Sequence, residues 1–249
     1  MKLDNPKGGY AFLRGIAPYS GGVIALPGYE IVHARFTAPL PLEEGFHRVR
    51  AHLDGFSRPL QALCGMELRS PRPFTFQGFS DFNKSYVGIL QTWDIPLDSG
   101  LNPVARTNVA PEIAPPTVPS LYGFSYTIKS GTDAPTFIIA GGGELPEGSL
   151  DPADIVRNGE TSLDALRDKA RFVMGLMTGR LQGLGVDWNS VTATDIYTIH
   201  PVHHFLADEI IRPLNAGAIH GVTWHFTRPP IESIEYEMDA RGCRREIVI

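Results

Sequence analysis

Arg106 stands among short apolar residues in Pro103-Val104-Ala105-Arg106-Thr107-Asn108-Val109, a run that reads as a buried β-strand. A guanidinium there needs an anion, because burying an unpaired charge is costly. That anion is either a structural carboxylate or a ligand. A planar fork that stays charged at any working pH suits a ligand carboxylate. Near the C-terminus, Glu235 and Glu237 alternate with Ile234 and Tyr236, so both glutamates share one strand face. Two carboxylates on one face raise one pKa and supply a base, unless both simply face solvent. His220, in Ala218-Ile219-His220-Gly221-Val222, is either a packed histidine bonded to backbone or a general acid/base with an ordinary pKa of about 6.5. Gly221 beside it would let a ligand approach the backbone.

Other polar clusters carry less. His200, His203 and His204 fall on different faces of a helix begun at Pro201, and His225 alternates with Trp224 on a strand. No spacing typical of a metal site joins them, so no metal is expected. Gly141-Gly142-Gly143-Glu144 lacks the Lys-Ser/Thr ending of a phosphate loop, and its following helix is too distant. Trp224 remains as an aromatic candidate for lining a substrate.

The elements that would position these residues repeat. Gly22–Phe36 reads as two strands split at Pro27-Gly28. Phe46, Val49, Leu53, Phe56, Leu60 and Leu63 step by three and four, which predicts a helix over 43–63. A strand over 74–79, a helix over 80–93 ended by Pro96 and Gly100, and a strand over 105–109 follow. Four prolines between 111 and 119 form a linker or cleft loop. The same order then recurs. Strands are expected over 122–130 and 136–140, a helix over 161–184, a strand over 191–199, a helix over 202–211, and strands over 219–226 and 234–238. Asn102–Val109 and Asn215–Val222 are counterparts in this scheme, setting Arg106 against His220. The fold class expected is α+β, two tandem ββαβαββ units with mixed sheets and helices packed on one face, divided into 1–118 and 119–249.

Bulk properties narrow the function. The chain has 249 residues and a formal net charge of −5, so no large basic field draws nucleic acid or anionic lipid. Two cysteines, Cys64 and Cys243, make no disulfide framework. The first residues have no apolar core typical of a signal peptide, and no apolar run approaches a membrane span, so a cytoplasmic protein is expected.

The second half resembles the YjgF/RidA family. The resemblance rests on Tyr122-Gly123-Phe124-Ser125, Ile138-Ile139-Ala140-Gly141, the long helix, Thr194-Asp195-Ile196-Tyr197 and Ile234-Glu235-Tyr236-Glu237. In the first half, Pro103-Val104-Ala105-Arg106-Thr107 is similar to that family's Pro-Ala-Arg-Thr/Ser segment. The resemblance implies a chorismate-mutase-like fold, usually trimeric, with clefts between units. For deaminase members it implies an arginine clamp for a substrate carboxylate, matched by Arg106, and a glutamate that activates water, matched by Glu235. Tyr122 would line the cleft, and His220 would replace the second copy's arginine. The expected function is hydrolytic deamination of a carboxylate-bearing enamine, imine or aminomuconate-like compound, with no cofactor. The alternatives are a non-catalytic small-molecule binder and a chorismatase-like hydrolase. The lack of a basic stripe argues against a ribonuclease.

Overall fold

The structure, a computed structural model, describes residues 1–95, 101–132, 134–149 and 151–249. Pro96 and Gly100, the expected end of the second helix, lie outside them. In chain order the strands and α-helices are β1 (Lys2–Asn5), β2 (Tyr10–Leu13), β3 (Gly22–Ala25), β4 (Tyr29–Pro41), α1 (Leu42–Gly55), β5 (Leu63–Arg69), α2 (Phe76–Thr92) and β6 (Ala105–Pro111). There follow β7 (Ser120–Lys129), β8 (Phe137–Gly143), α3 (Leu163–Leu184), β9 (Ala193–Tyr197), β10 (Thr223–His225), β11 (Thr227–Arg228), β12 (Glu237–Gly242) and β13 (Arg245–Val248).

These strands form two mixed sheets, ordered β1-β2-β3-β8-β12-β9-β10 and β11-β6-β5-β7-β4-β13. The four-strand order β4-β7-β5-β6 in the second sheet matches β8-β12-β9-β10 in the first. In each, the third strand in sequence runs parallel to the second, and the fourth inserts antiparallel between the first two. β7 follows the expected 118/119 division yet pairs with β4 and β5. We therefore place the junction between the repeats after Lys129.

Apolar residues of α1 and α2 (Phe46, Val49, Leu53, Tyr86, Leu90) pack on Met66, Leu68, Leu121 and Phe124 of the second sheet. α3 covers the first sheet, setting Leu166, Val173, Met177 and Leu181 against Phe137, Ile139, Ile196 and Met238. A third cluster joins the two sheets through Tyr10, Phe12 and Val23 on one side and Ile31, Cys64 and Ala105 on the other. The order across the molecule is thus helix, sheet, sheet, helix. Among the described residues no helix is long and apolar enough to cross a membrane.

Several elements differ from their sequence reading. The helix expected over 43–63 stops at Gly55. Pro59 holds the chain extended, and Leu63 opens β5. Leu60 and Leu63 continued the helical spacing by coincidence, and this hid β5 altogether. Thr75 caps α2 by accepting the Gly78 N–H at 3.0 Å, so the strand expected over 74–79 yields to a helix start. The helix expected over 202–211 shrinks to a single π turn, Leu206–Ile211. Asn215–His220 is a 3₁₀ segment rather than strand, and Gly221, at φ 67°, turns the chain into β10.

One buried ion pair fixes the entry to β12. The Lys169 ammonium donates to Glu144 Oε1 at 3.0 Å, and both side chains are wholly buried. Glu144 also accepts the backbone N–H of Glu235 at 2.7 Å and of Tyr236 at 3.0 Å. Removing one member of such a pair leaves a buried charge uncompensated. Lys169→Met is therefore expected to lower the unfolding free energy by about 3–5 kcal/mol in urea titration. A loss below about 1 kcal/mol would mean that the pair does not hold this junction.

Candidate active site

The strand β6 and the strands β8 and β12 of the other sheet line a cavity of about 220 Å³. Arg106 enters it from β6. Its side chain is buried, with one hydrogen bond, from Nη2 to Asn83 Oδ1 at 2.7 Å. Around it stand the rings of Tyr19, Tyr86, Phe79 and Phe82, with centroids 4.7–5.8 Å from the guanidinium carbon. Cation–π attraction offsets part of the desolvation, about 0.5–2 kcal/mol per good contact. Burial still pulls the guanidinium pKa below its usual value. Nη1 is buried with no partner among the described residues.

A second orphan donor lies two residues along the strand. Ser70 Oγ donates to Asn108 Oδ1 at 3.0 Å, which directs the amide NH₂ away from Ser70. That Nδ2 is buried and unpartnered among the described residues, and Asn108 lines the same cavity. Buried donors without acceptors are uncommon in folded proteins and call for a ligand or water. Two of them on one face of β6 have the chemistry to receive a carboxylate.

Glu237, at the start of β12, lines the cavity from the other sheet and is 4% exposed. Burial, followed by repulsion from Asp239, holds its pKa well above the ordinary carboxyl range; Arg180 and Arg106 offset only part of this. Glu237 therefore holds its proton to higher pH than an ordinary carboxyl does. Asp239, two residues on, accepts from the Thr107 hydroxyl at 2.6 Å and the Tyr197 hydroxyl at 2.9 Å. Burial and the neighbouring Asp195 and Glu67 push its pKa up to about 8. Arg180 closes a further side. It donates through Nε to Glu147 at 2.7 Å and through Nη1 to the carbonyls of Ala140 and Gly141 at 2.7 and 3.2 Å.

Gly141, Gly142 and Gly143 form the end of β8 along this wall. A Cβ on Gly141 would collide with the Glu237 carboxyl and come within 3.0 Å of Thr107. The glycine run is therefore what allows Glu237 to lie flat against β8. Gly141→Ala is expected to displace that carboxyl and lower turnover at least about tenfold, as a misplaced catalytic group does. Circular dichroism should show the fold retained. Full turnover in a folded Gly141→Ala protein would remove Glu237's position from the mechanism.

The structure disperses the other candidates. Glu235 is half-buried and bonds to His200, Oε2 to Nε2 at 2.8 Å, outside the cavity lining. β12 opens only at Glu237, so Glu235 precedes the strand instead of sharing a face of it, and the cavity takes the second glutamate. His220 is exposed at the end of its 3₁₀ segment and lines a separate surface recess with Thr192 and Thr223. Register puts Trp224, not His220, in the place of Arg106: each is the second residue of its strand, opposite Ile196 and Met66 respectively. Trp224 is 37% exposed and donates its indole N–H to the Thr198 carbonyl at 2.9 Å. Tyr122 lies in a different cavity, with its hydroxyl accepting from Arg35 at 3.2 Å. Tyr19, Asn108 and Arg180 were missed. The three glycines at the end of a strand were the one available signal, since glycine inside a strand marks close approach.

Comparison with known proteins gives this geometry a setting. Residues 2–247 match the family described as 2-aminomuconate deaminase CnbZ. A 2-amino-5-chloromuconate deaminase from Comamonas testosteroni is 44% identical over 246 residues, 97% of this chain and 96% of its own. A solved chorismatase aligns over 97% of this chain and 78% of its own, at 11% identity and TM-score 0.50, which shows a common fold. A putative endoribonuclease from Thermotoga maritima aligns over 55% of this chain and 92% of its own, at 13% identity and TM-score 0.32. The near full-length match and the 44% identity place this chain in the 2-aminomuconate deaminase CnbZ family.

Proposed function

We propose that the Arg106–Glu237 cavity hydrolyses the C–N bond of a 2-aminomuconate-type substrate, releasing ammonia and a 2-oxo dicarboxylate. Such a substrate is a linear, unsaturated dicarboxylate with its amino group on the carbon beside one carboxyl. The observation that carries this reading is a buried arginine with an unpartnered donor among the described residues, lining the same cavity as a buried glutamate whose pKa is raised. The named activity of the Comamonas testosteroni relative supports it.

In this assignment Arg106 Nη1 and Asn108 Nδ2 hold the carboxylate next to the reacting carbon. The enamine is nucleophilic at carbon, and Glu237 gives that carbon its proton. The nitrogen lone pair becomes the C=N bond of an iminium ion, beside a glutamate that is now ionised. That carboxylate takes a proton from water as the water oxygen bonds to the iminium carbon. The carbinolamine collapses as its hydroxyl proton passes to nitrogen, the C–N bond breaks and ammonia leaves. One carboxyl thus serves first as acid and then as base. We assign this role to Glu237 in place of Glu235. Arg14, exposed at the cavity's edge, faces the distal carboxylate. The family resemblance supports a trimer in the cytoplasm as the working assembly.

The test is ammonia release from 2-aminomuconate, followed by reductive amination of 2-oxoglutarate with glutamate dehydrogenase. Release well above the spontaneous rate is the expected result. Release at the spontaneous rate would reject the assignment.

A further inference from the structure

The repeat generates a second cavity, where β10 of the first sheet approaches β4 of the second, as β6 approaches β8 at the first. It is about 340 Å³ in volume and polar. Nothing described so far uses it. On one wall His225, from β10, has Nε2 3.2 Å from Asp195 Oδ1. Arg241 donates to the other oxygen of that buried carboxylate at 2.5 Å, and the imidazole stacks on Tyr197 with centroids 4.9 Å apart. The ring is therefore fixed in position and plane. Nδ1 has no hydrogen-bond partner among the described residues. With Nε2 directed at the Asp195 carboxylate, Nδ1 is the nitrogen left to exchange a proton with a ligand.

The facing wall supplies an acid. Arg35 donates to the Tyr122 hydroxyl at 3.2 Å, and the Arg69 guanidinium carbon lies 4.1 Å from the Tyr122 ring centroid. The bond from Arg35 leaves the hydroxyl hydrogen of Tyr122 free to donate. Arg35 itself has no carboxylate within 4.0 Å among the described residues. Below them, His33 and Glu67 form a buried pair at 2.7 Å. Burial disfavours the His33 cation, but the Glu67 carboxylate overcomes this and holds the imidazole protonated, its pKa pushed up to about 9. The cavity therefore presents an oriented base, a phenol hydrogen-bond donor and an arginine available to an anion. No residue in it reproduces the orphaned Arg106 of the first cavity.

We propose that this second cavity is an acid–base site for a small 2-oxo carboxylate, moving a proton on and off the carbon beside its carbonyl. Arg35 holds the carboxylate, and Tyr122 donates to the carbonyl oxygen. His225 Nδ1 takes a proton from the adjacent carbon. The C–H electron pair becomes the C=C bond of the enolate, and the carbonyl π pair moves onto oxygen, where the Tyr122 hydroxyl stabilises it. The reverse step returns a proton to carbon, so no oxidant, reductant or leaving group is involved. This site stands independently of the ammonia chemistry in the first cavity.

The experiment follows loss of the C3–H proton signal of 2-oxoadipate in D₂O with the full-length protein, alongside ammonia release. Wild type should exchange that proton well above the buffer rate. His225→Gln and Tyr122→Phe should each reduce the acceleration by at least about 10²-fold while releasing ammonia normally. Arg106→Ala should keep the exchange. The proposal is overturned by wild-type exchange no faster than buffer. It is equally overturned if exchange is lost in Arg106→Ala and kept in His225→Gln, which would put the proton transfer in the first cavity. Should His225→Gln misfold, Tyr122→Phe, which removes only one oxygen from a half-buried ring, decides alone.

Discussion

Replacing Arg106 by alanine is expected to lower kcat/KM for ammonia release by about 10²- to 10⁴-fold. The estimate rests on two charge-assisted hydrogen bonds to a substrate carboxylate, each worth about 1.5–3 kcal/mol, with each 1.36 kcal/mol equal to about tenfold in rate. The protein should stay folded. Among the described residues Arg106 makes one hydrogen bond, to Asn83, and otherwise packs against four aromatic rings. Its remaining buried donor is one that a ligand carboxylate would satisfy. Arg106→Lys should recover little. An ammonium is a compact point charge that cannot reach Asn83 and a carboxylate in one plane as the guanidinium does. The aromatic rings at 4.7–5.8 Å also suit a flat cation. Activity in Arg106→Ala within about threefold of wild type would falsify the clamp, since one ordinary hydrogen bond to a charged group is worth more than that.

Arg106 was legible because its chemistry is local: a charge among short apolar residues in a strand asks for an anion in any fold. The repeat was legible for the same kind of reason. Helical stripes such as Leu166, Val173, Met177 and Leu181 show their period in the chain itself, and these residues do form the core under α3. What failed was pairing across distance. β5 was hidden because Leu60 and Leu63 fell on the helical period; Pro59, which breaks a helix interior and holds the chain extended, was the local signal against that reading. The counterpart of Arg106 was placed four residues early, at His220 instead of Trp224, because sequence alone does not show a 3₁₀ segment ending at His220 before β10 begins. The choice between Glu235 and Glu237 could not be settled by alternation, which puts both on one face. It depends on where β8 lies, and only Gly141 leaves room for the Glu237 carboxyl. The cavity itself lies between a strand of each sheet, so its members Tyr19, Asn108, Arg180 and Glu237 are scattered over more than 200 positions.

Glu237→Gln should cost the second-largest share of the rate, about 10²- to 10⁴-fold in kcat, the usual range for a general acid–base group. The substitution is nearly isosteric and keeps the position neutral, so binding and fold should change little and KM should stay close to wild type. What it removes is a proton that can leave and return. The pH dependence separates this role from a structural one. Because burial and Asp239 hold the Glu237 pKa above the ordinary range, the protonated form is the active one, and wild-type kcat should fall as pH rises through that raised pKa. Stability should move in the same direction. An unfolded glutamate ionises near about 4.3, whereas the folded protein keeps its proton to higher pH. Between those two values the native state binds more protons than the unfolded state, so stability declines with rising pH, by up to about 1.4 kcal/mol per unit for each such group. Asp239, pushed up to about 8, adds a second contribution of the same sign. Glu237→Gln deletes its own share, so its melting temperature should fall less steeply than that of wild type from mildly acid to alkaline pH. Parallel melting curves for the two proteins would mean that Glu237 is ionised in the native state. Its first step would then be proton removal, and the order of acid and base in the cavity would be reversed.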